Sequence, residues 1–134
     1  MTTTVATPAD LLAVARRLLA RTGSGGDLTA GVWPRSAAVL ARQALEQSLT
    51  SLWRQRGLDL AGTSTRAQLL CLEEYLGDPS VAADARFAWW ALSRACHHHP
   101  YELTPTVAEI EGWVGSVERV VGAIDADAAA GGSA

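Results

Sequence analysis

The chain has 134 residues, of which 49% are apolar, and a formal net charge of −3. That is enough apolar material for one domain with a real core and no disulfide or metal staple, and it excludes wholesale disorder. Every one of the 11 basic residues is Arg, and the net acidity gives no support for a broad nucleic-acid-binding face while leaving room for a local basic groove.

Five helices are expected in chain order, and no segment shows the period-two alternation of a strand. Thr7-Pro8-Ala9-Asp10 combines an N-cap, a proline at the first helical position and an acid in the first turn. It opens a helix to about Arg21, and the run Gly23-Ser24-Gly25-Gly26 breaks it. The second helix is expected from about Pro34 to Arg56, with Ala38, Ala41, Leu45, Leu49 and Leu52 along one side and Gly57 as its stop. Thr63 or Ser64 caps a shorter third helix ending at Gly77. Asp78-Pro79 opens the fourth, whose inward stripe is read as Val81, Ala85, Trp89, Leu92 and Cys96. Thr104-Pro105 opens the fifth, where Val107, Ile110, Val114, Val117, Val121 and Ile124 step by threes and fours. Residues 125–134, rich in Ala, Asp, Gly and Ser, are expected to form a mobile tail after a single domain of residues 1–124. Trp89, Trp90 and Trp113 are read as core or dimer interface, not as base-stacking platforms.

Cys71 and Cys96 lie inside helical patterns, and Arg16 and Arg17 interrupt the N-terminal apolar run, so no secretory leader is expected and a reducing cytoplasm is. No apolar run is long enough for a membrane span.

The densest chemistry lies in Arg94-Ala95-Cys96-His97-His98-His99-Pro100-Tyr101, at the end of the fourth helix. Pro100 forces residue 99 toward extended angles, so the helix should end near His97 or His98 and release His99 to swing back toward Arg94. A metal reading of the histidines is weaker, since consecutive helical residues diverge by about 100° and ligands must converge. No metal and no cofactor is expected. The alternative to a site is a cap, with Arg94 and the histidines donating to the last free carbonyls of the helix.

Two stretches carry a resemblance. Arg35 to Leu52, RSAAVLARQALEQSLTSL with Glu46 inside it, looks like the long early helix of the HEPN family (higher eukaryotes and prokaryotes nucleotide-binding). Arg94, four residues, His99, one residue and Tyr101 resemble the signature of HEPN ribonuclease toxins, in particular those paired with minimal nucleotidyltransferase (MNT) antitoxins. The likeness covers roughly residues 30 to 124 and leaves out the first helix.

The resemblance implies an all-α, HEPN-like up-and-down bundle of about five helices, a homodimer with a shared cleft, and metal-independent RNA cleavage, with no DNA substrate. His99 would be the general base and Arg94 the phosphate clamp. His97 and His98 are read as bystanders or supporting residues, Glu46 as a solvated helix acid that the resemblance raises to a partner for Arg94, and Tyr101 as a rim residue or the acceptor for an adenylyl group from the antitoxin. Arg54, Arg56 and Arg86 are candidates for widening the groove on charge alone. Ala95 departs from the pattern, because catalytic members commonly carry a polar residue after the motif Arg. The alternative is therefore a non-catalytic HEPN module that binds a nucleotide or a protein partner with the same surface.

Overall fold

The computed structural model describes residues 5–22, 32–60, 62–97, 101 and 103–131. The described residues form an all-α bundle of five helices: α1 (Pro8–Thr22), α2 (Val32–Gln55), α3 (Thr65–Leu76), α4 (Pro79–Cys96) and α5 (Val107–Gly131). No described helix is long and apolar enough to cross a membrane.

Local chemistry sets most of the helix ends. At α1, Thr7 and Asp10 cap one another: the Asp10 amide donates to Thr7 Oγ1 (3.1 Å) and the Thr7 amide to Asp10 Oδ2 (2.9 Å). Hydrogen bonds to the carboxylate from the Thr7 amide and, secondarily, the Thr7 hydroxyl hold the Asp10 carboxyl below the usual carboxylate range. α2 ends in a Schellman turn in which Gly57, at φ 69°, lets Leu58 N–H reach Trp53 O (2.9 Å) and Gly57 N–H reach Arg54 O (3.1 Å). Ser64, not Thr63, caps α3, accepting from Ala67 N–H at 3.2 Å, and Gly77 ends it at φ 66°. The Asp78 carboxylate accepts from Ser80 and Val81 N–H to start α4. α5 opens two residues later than Thr104-Pro105 suggests. Thr106 and Glu109 form a reciprocal cap there, with both amide bonds at 3.1 Å.

One strip on α2 organises the packing. Ala37, Ala38, Ala41, Ala44, Leu45, Leu49 and Leu52 are all fully buried, and α1, α4 and α5 lie against this helix. The α5 seam is buried from Ile110 through Ile124, with Val120 added and Val107 only partly covered. The inward face of α4 differs from the expected stripe. Ala82, Ala85, Ala88, Ala91 and Leu92 point inward, while Val81, Trp89 and Cys96 are partly buried at its margin. Alanines every third residue allow α4 to approach its neighbours closely, and the bulkier side chains are displaced to the sides.

α2 and α5 run in the same direction and α4 runs against them, so the first turns of α2 and α5 meet the last turn of α4 at one end. At the opposite end Arg56 forks to both oxygens of Asp127 (2.8 and 3.0 Å) and donates to the Tyr75 carbonyl (2.8 Å). This pairing corrects the expected tail, since α5 continues through residues 125–131 as helix. Arg16 with Glu118 ties α1 to α5, and Arg119 with Asp84 (3.3 Å) ties α5 to α4.

The buried strips predict two graded effects on urea unfolding. Leu49→Ala should cost about 2–5 kcal/mol with the helical spectrum retained. Val117→Asp should leave no cooperative transition, because an unpaired buried carboxylate consumes most of a typical domain stability of about 5–15 kcal/mol. A Val117→Asp chain that melts like the parent would contradict the placement of the seam.

Candidate functional site

The end where α2, α4 and α5 meet encloses a cleft of about 490 Å³. Its chemistry comes from Arg35 in the early turns of α2, Trp90 and Arg94 on α4, and Glu109 and Trp113 on α5, with Leu103 on the connection between α4 and α5. Two cations and two indoles thus share one concavity on an acidic protein.

α4 presents Arg94 in its last turn. The His97 amide donates to Arg94 O (3.1 Å), and His97 itself leaves the helix with extended angles. The helix therefore ends at Cys96, one residue before the expected range. The Arg94 guanidinium lies over the Trp90 ring, 4.9 Å from its centroid, a cation–π geometry that also orients a long side chain at the surface. Phe87 sits 6.3 Å from Trp90, so residues 87, 90 and 94, spaced by three and four, form one outward face. Trp90 and Phe87 keep 52% and 54% of their surface in solvent. The three tryptophans read together from the sequence therefore separate: Trp89 and Trp113 pack against the core, and Trp90 faces out.

The other candidates take different places. Glu46 accepts from Trp89 Nε1 (3.4 Å) and lies 3.4 Å from Arg42 Nε. Trp89 is about 140° from Arg94 around α4, so Glu46 serves the margin between α2 and α4 instead of the cleft wall. Ala95 lines the cleft and packs against the core. Its methyl group stands where the HEPN resemblance leads one to expect a polar side chain. Tyr101 is 98% exposed. His98 and His99 lie outside the described residues. Arg56, bound to Asp127 and Tyr75, is about 30 Å along α2 from Arg35 and does not widen the cleft. Arg54, in the last turn of α2, is at that distant end too. Arg86 is one turn from Trp90 on α4, outside the cleft lining.

Sequence reasoning missed Arg35 and Glu109. Glu109 carried a signal, Thr106-x-x-Glu109 being a capping box. Arg35 carried none beyond its place after Pro34.

Cys96 lies on the same α2–α4 margin. Burial pushes its thiol above the ordinary range; Arg42 and Arg35 pull it down, and Glu46 pushes it up. No family model, curated protein or solved structure matches the chain.

Because thiolate is the reacting form, a raised pKa and partial burial should both slow Cys96 relative to exposed Cys71. Iodoacetamide at pH 8, followed by mass spectrometry of peptides, should label Cys71 first, and the gap should narrow as pH rises. Faster labelling of Cys96 would mean that its arginine neighbours outweigh burial.

Proposed function

We propose that this chain is a metal-independent endoribonuclease of the toxin type, acting through Arg94 and His99. The observation that carries the reading is the cleft at the end of α4, where Arg94 lies over Trp90 with Arg35 in the same concavity. An always-charged, forked guanidinium suits a phosphodiester, and holding it against an indole reduces the ordering needed on binding. His99 follows five residues after Arg94 in sequence, beyond the C-cap residue His97.

The chemistry needs few groups. An imidazole, with an ordinary pKa of about 6.5, takes the 2′-hydroxyl proton as that oxygen attacks phosphorus. Arg94 neutralises charge building on the non-bridging oxygens. The bond to the 5′-oxygen breaks, that oxygen takes up a proton, and a 2′,3′-cyclic phosphate remains. A homodimer would bring two such clefts together, and the exposed Phe87 beside the cleft supports such a contact. The exposure of Tyr101 supports access by a modifying partner of the MNT type, whose adenylyl adduct would repel an RNA backbone. The second reading, a non-catalytic binding module, is favoured by Ala95, which offers the phosphate no polar contact.

Single-stranded RNA incubated in EDTA separates the readings. Cleavage should fall about 10²- to 10⁴-fold in His99→Ala, fall strongly in Arg94→Ala, and persist in His98→Ala. Equal cleavage by the parent and His99→Ala contradicts the proposal. Absence of cleavage by a parent protein whose RNA binding is lost in Arg94→Ala selects the non-catalytic module.

A further inference from the structure

The cleft holds more than a phosphate clamp requires. Arg35 and Arg94 account for an anion, but Trp90, Trp113 and Glu109 line the same concavity. Indoles beside a cationic pair make a place for a planar base attached to a phosphate: the base stacks on the aromatic surface and the backbone meets the arginines. Glu109 then decides which base. Oε1 accepts from the Thr106 amide and hydroxyl, both at 3.1 Å. Those two bonds fill the acceptor positions of Oε1, so the remaining acceptor capacity of the carboxylate lies on Oε2, which is the oxygen left for a base edge.

We infer that the cleft is a guanosine-binding pocket for single-stranded RNA, with the base against Trp90 and Trp113, its Watson–Crick edge on Glu109 and the flanking phosphates on Arg35 and Arg94. This rests on the ribonuclease reading for its polymer, but the base preference follows from the pocket. Guanine presents two adjacent donors, N1–H and N2–H, to an acceptor-only carboxylate. Adenine and cytosine present one donor beside an acceptor nitrogen, and uracil one N–H between two carbonyls, so each sets a lone pair against the carboxylate. Glu109 is exposed, so the discrimination comes from the repulsion between its carboxylate and a facing lone pair added to the missing donor pair. Glu109 is rigid for this task because the reciprocal cap fixes it at the start of α5.

The test uses the full chain and fluorescently labelled 2′-O-methyl hexamers, in which the blocked 2′-oxygen prevents cleavage. UUGUUU should bind at least about tenfold tighter than UUAUUU or UUUUUU, in line with one charge-assisted donor pair. Glu109→Gln should melt with the parent, since Gln completes the same cap, and should bind the three hexamers within about twofold of one another. Trp90→Ala should weaken all three by about fivefold or more, and Arg35→Ala should weaken all three without changing their order. A guanine preference that survives in Glu109→Gln, or no preference in the parent, overturns the inference. GMP binding as tightly as UUGUUU overturns the assignment to a strand. Guanine-selective binding by a parent that cleaves no RNA sinks the ribonuclease reading and leaves the pocket standing. Cleavage with no base preference in binding does the reverse.

Discussion

The burial of α2 is the constraint on which the rest depends. Its strip from Ala37 to Leu52 is closed to solvent along most of the helix, and three other helices supply the cover. Alanines at 37, 38, 41 and 44 occupy the half of α2 nearest the cleft, and leucines at 45, 49 and 52 the half beyond it. Small side chains let neighbouring axes approach, and large ones fill the space where axes diverge. At the alanine end the last turn of α4 and the first turn of α5 share one cleft with Arg35.

Electrostatics divides the molecule by its ends. At the far end Arg56 meets Asp127, and at mid-bundle Arg16 meets Glu118 and Arg119 meets Asp84. Exposed pairs of this kind contribute little, about 0–1 kcal/mol each, and serve mainly to fix how the helices sit. At the near end Arg35 and Arg94 face a shared cleft with aromatic walls. Two arginines of a net-acidic chain thus meet in one concavity, beside the carboxylate of Glu109.

Several helix ends were legible because capping chemistry is local: Thr7 with Asp10, Ser64, Gly57, Gly77 and Asp78 act within a few residues of themselves. The α5 seam was legible because nothing competes with its valines. On α4 two stripes of similar period compete, one bulky and one of alanines, and the choice depends on the spacing left by α2 and α5. That spacing is tertiary information, so the outward turn of Trp90 was hidden. The extension of α5 was hidden for a related reason, since the pairing of Asp127 with Arg56 spans 71 positions of sequence. Arg94 was found because a charged residue beside a proline-broken helix end stands out from apolar surroundings, whereas Arg35 and Glu109 join it only through the fold.

The central claim is that RNA is held at the end of the bundle where α4 stops. The most direct measurement is a nuclear magnetic resonance titration of the labelled chain with a non-cleavable single strand, following arginine side-chain and indole N–H signals. The account predicts that Arg94, Arg35, Trp90 and Trp113 shift together on binding, while Arg56 and Trp53 at the far end stay in place. Shifts centred on Arg56 or on α1, with the Arg94 and Trp90 signals unmoved, would contradict it.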